Sequence, residues 1–479
     1  MDRPSLRDYG ILGAILLLAL GLRVVGLNAP LWYDEILTVE THLRLPWSAM
    51  VQSYSMNHHY FFDLQAKLAM DIFGETPWAV RLPALLFGVA TIAAMWVLAR
   101  DVAGMAVAHV TALLLALSYH EIWFSQNARG YTELAFWSTL GLVLFLRGLR
   151  EPRLGLWLGF GLALAAATFT HLTGVFFFAA LGLVWLWSLL RSGAGGGRLT
   201  LPLIGAGAGL VLTLLLYAPL IPSLGDTVAA VGDTSAIDVM QEYQNPLWTV
   251  LEAVRTGIGT AGMLAGAVAV VILILCLIGS VAAADRAPWF APAVLIHILL
   301  TLAVLMALGM RIWPRFFFAD IGFLMLLIVL GVRGLCQSVV RLIGREEWAA
   351  PAFALAVVAM VGVSGTLALR NYQAPKQNLA GAYSLAQSLR QPGERVFAVG
   401  PAATVFTSHF NADWQVITDN AGYSAALAVP GPILFVVAFP ARVLRRVDLM
   451  QADRDGLLAE VEWLPGTLGD GGIVLFRRP

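Results

Sequence analysis

The sequence predicts an all-α polytopic membrane protein with a small α/β domain at its C-terminal end, and three observations support this. Hydrophobic residues fill 59% of the 479 positions and charged ones only 13%, about half the charge of a soluble globular protein. The apolar residues gather in runs of about 20, the length that crosses roughly 30 Å of hydrocarbon. From about residue 371 the pattern changes to short β-rich runs separated by turn signals. The same figures exclude a soluble enzyme and a disordered chain. Thirty Lys and Arg against 30 Asp and Glu leave no basic field for nucleic acid. Cys276 and Cys336 lie in apolar runs, so neither a disulfide framework nor zinc-ribbon spacing exists.

About eleven transmembrane helices are expected, near 10–27, 80–99, 102–119, 133–149, 154–170, 172–190, 199–222, 257–283, 289–310, 316–335 and 349–369. Arg3 and Arg7 give the first run the look of a signal peptide. No small-residue cleavage site follows it at Leu27-Asn28-Ala29-Pro30, so it reads as an anchor. Arginines set the orientation. With a cytoplasmic N-terminus, one side's short loops hold Arg3, Arg7, Arg100, Arg147, Arg150, Arg153, Arg191, Arg198, Arg286, Arg333, Arg341 and Arg345. The other side's longer loops hold Arg44, Lys67, Arg81, Arg129, Arg255, Arg311 and Arg315. An odd span count then leaves the C-terminal tail outside. The division expected is a membrane domain over 1–370, with a long first outer loop at 28–79, and an extracytoplasmic α/β domain over 371–479. In that domain 378–390 has helical spacing, and strands are expected at 395–399, 414–418, 433–437 and 473–476.

Nearly all the polar oddities fall on the outer side. Leu31-Trp32-Tyr33-Asp34-Glu35 follows the first span, and Asn57-His58-His59-Tyr60-Phe61-Phe62 lies later in the same loop. The second outer loop reads Tyr119-His120-Glu121 through Ser125-Gln126-Asn127-Ala128-Arg129-Gly130-Tyr131, Thr170-His171 marks the third hairpin, and Trp313-Pro314-Arg315-Phe316 the last. A pump or pore would place ionisable groups at mid-span; here the spans are nearly bare of them. An acidic pair beside the membrane can take a proton from a hydroxyl or bind a cation. Arginines at that depth can neutralise phosphate, and aromatics can stack on a sugar or form the interfacial belt. This set suits a lipid-phosphate donor attacked from outside the cell, where a sugar must arrive attached to lipid.

These residues resemble the GT-C type of membrane glycosyltransferase, in the branch of the protein O-mannosyltransferases and the aminoarabinose transferase of lipid A. Trp32-Tyr33-Asp34-Glu35 is similar to the Asp-Glu pair after that family's first helix. Asn57-His58-His59-Tyr60-Phe61-Phe62, Phe73-Gly74 and Arg81-Leu82-Pro83 resemble its His-Pro-Pro-Leu-Tyr-Tyr, Phe-Gly and Arg-Leu-Pro. Ser125 to Tyr131 resembles Ser-Gln-Glu-Ala-Arg-Pro-Tyr, Thr170-His171 a recurrent Thr-His, and Pro314-Arg315-Phe316 a Pro-Arg-Tyr. Two positions depart: His59-Tyr60 replaces the double proline, and Asn127 stands where the family has Glu, which removes a candidate base or metal ligand.

The resemblance implies an inverting transfer from a polyprenyl-phosphate donor to a glycan or glycolipid acceptor at a bacterial inner membrane, with the active site on the periplasmic face. Asp34 and Glu35 are the expected catalytic pair, Asp34 as base and Glu35 orienting a partner or binding a divalent cation. Arg129, Arg315, His58 and His171 are expected on the donor phosphate, Tyr131 and Trp32 on sugar or acceptor. For each there is a plainer reading: a helix-capping carboxylate, interfacial arginines, packing histidines, belt aromatics. His109 and His297 read as structural, and Asp226, Asp233 and Asp238 as solvated. The alternatives are a transporter or flippase of a lipid-linked substrate and a protein O-mannosyltransferase.

Overall fold

The computed structural model describes residues 4–55, 57–193, 195–223, 225, 242–258, 263–454 and 456–478; Asp226, Asp233 and Asp238 lie outside them. The chain forms two compact units. The membrane unit comprises the first helix up to Leu27, the chain from Trp47 through the helix ending at Ser223, and Glu242–Leu369. The other joins Asn28–Pro46 to the residues from Arg370 onward.

Among the described residues, each of the eleven apolar runs lies mainly on helix. Among the described residues eight helices are long and apolar enough to cross a membrane: Pro77–Ala103, Tyr131–Arg150, Gly174–Ser192, Thr200–Ser223, Met263–Ala284, Phe290–Ala307, Asp320–Leu342 and Glu346–Tyr372. Met105–Ala116 and Tyr119–Ser125, bent by 59° at their junction, make a ninth if they count as one. The other two runs miss those limits for visible reasons. Leu154–Thr170 has only 17 residues, and Leu6–Val24 contains Arg7, Asp8 and Arg23. Arg23 is fully buried. Its Nη atoms donate to the carbonyls of Ala19, Ala116 and Leu115 at 3.1–3.2 Å, and its Nε to Ser125 Oγ at 3.0 Å. Leu115 and Ala116 end a helix whose last carbonyls have no intrahelical donors. The guanidinium supplies donors there, pinning the bend that starts the second outer loop.

Small residues bring Leu154–Thr170 against Thr200–Tyr217, as bare backbones allow in a membrane. A Cβ on Gly205 would lie 2.2 Å from the Trp157 carbonyl oxygen, and one on Gly161 2.1 Å from that of Gly205. Gly207, on the same helix, has nothing within 4 Å of such a Cβ. Gly205→Val is therefore expected to lower the unfolding midpoint strongly, overpacking costing about 1–3 kcal/mol or more. Gly207→Val should leave it nearly unchanged. Thermal unfolding of the two variants in detergent checks the pair.

The second unit is a three-layer α/β/α domain. Its sheet has the order β2-β1-β3-β5-β4, with β1 at Arg395–Val399, β2 Gln415–Ile417, β3 Ile433–Ala438, β4 Ala459–Leu464 and β5 Ile473–Arg478. β1 runs parallel to β2 and β3, and β5 antiparallel to β3 and β4. Strand side chains alternate between faces. Val396, Ala398, Leu434 and Val436 pack on one side with helices Leu379–Leu389 and Ala403–Ser408. Phe397, Val399, Phe435 and Val437 pack on the other with Tyr423, Val443 and Met450. β4 goes beyond the expected strands. It is an edge strand with exposed Glu460 and Glu462 and a bulge between them, so its apolar signal is weak. The first face is completed by Ile36, fully buried there, with Leu31, Tyr33 and Leu37 against it. That apolar contact draws Asn28–Pro46, which the sequence reading keeps with the spans, into the C-terminal unit. Glu40 fastens it, accepting from Ser408 Oγ at 2.8 Å and lying 3.1 Å from His409 Nδ1.

Candidate active site

Within the membrane unit, four separated segments meet around two imidazoles. His58 and His59 lead into helix Tyr60–Phe73, of which His59 is the N-cap residue. Arg129 and Gly130 close the turn before helix Tyr131–Arg150. His171 ends helix Leu154–Thr170, and Arg315 sits in the 3₁₀ turn Pro314–Phe317. The His59 ring lies 4.5 Å from that of Tyr131 and 4.6 Å from that of His171, centroid to centroid. The His171 ring is 6.0 Å from both Tyr131 and Phe316. Gly130 makes this approach possible. A Cβ there would sit 2.7 Å from Thr170 Cγ2 and 3.1 Å from His59 Cβ.

The guanidiniums are held in place. Arg129, buried, donates from Nη2 to Asn57 Oδ1 at 3.0 Å. Arg315 lies 5.0 Å over the Trp313 ring. Its loop is tied by the Ile312 N–H to the Tyr243 carbonyl at 2.7 Å and by Thr249 Oγ1 to the Ile312 carbonyl at 2.9 Å. Burial pushes His171 down to about 3, with Arg129 and Arg315 adding to the shift. His59 is held well below the usual imidazole range by burial first, then by Arg129, His171, Arg315 and His58. Both rings are neutral at physiological pH. The backbone N–H of Thr173 donates to His171 Nδ1 at 3.2 Å, so the neutral ring carries its proton on Nε2, where it is a donor. Two fixed cations beside two neutral donors suit an anion.

His58 does not share that environment: its Nδ1 faces the buried Asp63 carboxylate at 3.2 Å. Glu133 Oε1 accepts from Gln65 at 2.7 Å and from Trp137 at 3.4 Å. The structure thus brings Arg129, Arg315, His171 and Tyr131 together and gives His58 a carboxylate partner. Asn57 and Gly130, to which the sequence assigns no role, also belong to the cluster, as does His59, which the sequence ranks below His58 as a phosphate ligand. Their signal was present in the quoted motifs, but the helix N-terminus that turns His59 inward is a tertiary feature.

Asp34, Glu35 and Trp32 lie in the C-terminal unit, on helix Tyr33–Thr38. Glu35 is fully buried and its Oε2 accepts from the Trp32 N–H at 3.2 Å, bonding back to the N-cap of its own helix. Trp32 is buried too. Asp34 is half-buried, and the Thr38 hydroxyl donates to its carbonyl at 2.9 Å. The Tyr33 N–H donates to Gln377 Oε1 at 3.4 Å, and its ring stands 5.4 Å from Phe439, over which Arg442 lies at 4.5 Å. Burial and then the Asp34 charge push the Tyr33 hydroxyl above its usual range.

Residues 57–230 match the family model of dolichyl-phosphate-mannose-protein mannosyltransferases. That stretch includes every member of the cluster except Arg315 and Phe316. No curated protein sequence matches the chain. Among solved structures, ArnT from Cupriavidus metallidurans bound to undecaprenyl phosphate is similar over 98% of both chains, with 16% identity and a TM-score of 0.55. The Archaeoglobus fulgidus oligosaccharyltransferase AglB, in complex with an inhibitory peptide and a dolichol-phosphate, is similar over 95% of this chain and 73% of its own, with 13% identity and a TM-score of 0.58. The chain has the GT-C fold of a polytopic membrane protein.

Proposed function

We propose that the protein is an inverting glycosyltransferase that moves a sugar from a polyprenyl-phosphate donor to a hydroxyl of a glycan, glycolipid or lipopolysaccharide outside a bacterial inner membrane. The observation that carries this reading is the pairing of Arg129 and Arg315 around neutral His171 in a chain of this fold. ArnT and AglB are solved with polyprenyl phosphates. Both cations then hold the donor phosphate, and Tyr131 and Trp32 contact sugar or acceptor. Asp34 takes the acceptor proton as the acceptor oxygen bonds to C1 from the face opposite the phosphate. The C1–O bond breaks, its electron pair leaves with the polyprenyl phosphate, and the anomeric configuration inverts. The transition state is oxocarbenium-like, as in glycoside hydrolysis. Fixed guanidiniums stabilise the charge gained by the leaving phosphate most strongly where water is scarce. A divalent cation is assigned no step.

Mass spectrometry of envelope glycolipids with and without the gene tests the proposal. Loss of one sugar mass identifies donor and acceptor together; an unchanged glycolipid profile overturns it. Labelled sugar that crosses the bilayer without joining an acceptor would indicate a flippase instead. Gly130→Ala should lower transfer by about tenfold or more, because displacing the cluster by a fraction of an ångström spoils the attack geometry. Initial rates with the purified variant measure it.

A further inference from the structure

His59 is the one imidazole of the cluster that the structure leaves unsatisfied. It is 1% exposed, and among the described residues neither ring nitrogen has a hydrogen-bond partner. A buried polar atom without a partner costs about 1–3 kcal/mol, and this ring carries two. The helices that end around it supply the second observation. Tyr60–Phe73 begins at His59, Tyr131–Arg150 at Gly130 and Gly174–Ser192 at Thr173, and none of these N-caps has a side-chain capping bond. The three starts adjoin one another. Gly130 leaves only van der Waals room for His59, and Thr173 binds the ring of His171, which packs on that of His59. Helices of 14, 20 and 19 residues thus bring three partial positive ends to one place. The first-turn carboxylates do not neutralise it freely, since Asp63 faces His58 and Glu133 is bonded by Gln65.

From this arrangement, and resting on the proposed function above, we infer that His59 is a phosphate-binding residue: its ring N–H donates to the leaving polyprenyl phosphate, and its other nitrogen accepts a hydroxyl of the donor sugar. Arg129 and Arg315 bring full charge to the same anion. The three helix starts supply aligned dipoles, and His59 supplies the neutral bond that positions the head group. A neutral imidazole can do both at once because it carries one donor and one acceptor.

Undecaprenyl phosphate binding to the purified full-length protein in detergent tests this, alongside initial rates of sugar transfer for the same variants. Removing a hydrogen bond to a charged group should weaken binding by about tenfold or more in His59→Ala. His59→Gln, which keeps a donor and an acceptor, should stay within about threefold of the wild type. KM for the lipid donor should rise in His59→Ala by a similar factor, which a merely structural loss of active protein would not produce. Equal affinity in wild type and His59→Ala, with transfer intact, overturns the role of His59 and leaves the glycosyltransferase reading standing. Weakening by both variants alike overturns it too, since shape and not hydrogen bonding would then be responsible. A wild type that neither binds undecaprenyl phosphate nor transfers sugar overturns both.

Discussion

Asp34→Asn is expected to lower turnover by about a hundredfold or more. A positioned general base contributes about 10²–10⁴-fold, and the amide keeps the shape while losing the basic oxygen. On its own helix the Asp34 backbone carbonyl accepts from the Thr38 hydroxyl at 2.9 Å. Its neighbour provides the contrast. Glu35 is buried and accepts from the N-cap N–H of that helix, so Glu35→Ala, which removes the acceptor, should act mainly on stability, by the roughly 0.5–2 kcal/mol typical of a cap. Measuring initial rates and unfolding midpoints of both variants separates chemistry from capping. An Asp34→Asn protein that folds normally and keeps wild-type turnover with its own donor sinks the base assignment.

Removing either guanidinium is expected to cost about 10²–10³-fold in turnover, the scale of a lost transition-state charge donor. Arg129→Ala and Arg315→Ala should each slow transfer and also raise the KM for the lipid donor, because the cation meets the phosphate before and after the bond breaks. Lysine restores charge but not the fork, so Arg129→Lys should recover only part of the loss. A second readout follows from the electrostatics. Burial is the first cause of the low His171 value of about 3, and Arg129 the next. Deleting Arg129 removes a repulsion from the imidazolium, so the His171 titration should move upward. NMR titration of the His171 ring follows it. Unchanged kinetics in both alanine variants would remove the phosphate from this cluster.

The sequence was most legible where one residue's chemistry suffices. Among the described residues all eleven apolar runs lie mainly on helix, and eight or nine of them are long and apolar enough to cross a membrane, because helix in a bilayer demands only length and hydrophobicity. The four expected strands appear within a residue or two of their positions, since alternation and turn signals are local. Arg129, Arg315, Tyr131 and His171 could be singled out because polar residues beside apolar spans are conspicuous. His59 ranks below His58 in the sequence because a histidine next to another histidine gives no sign of which one turns inward. Arg23, inside the first apolar run, carries no sequence signal of its own, yet it is fully buried and bonds the carbonyls of a broken helix.

The amino-acid sequence by itself determined that this chain lives in a membrane, roughly where it crosses, and which residue types stand ready for phosphate chemistry. These follow from composition and spacing alone. Only the tertiary structure decided that Asn28–Pro46 packs with the C-terminal sheet, that Glu35 caps a helix, and that His59 lies beside His171 with, among the described residues, no hydrogen-bond partner for its ring nitrogens. Each of those depends on which apolar surfaces cover one another and which backbone groups are left exposed at a helix end. Such pairings arise between segments far apart in the chain, and no local pattern encodes them.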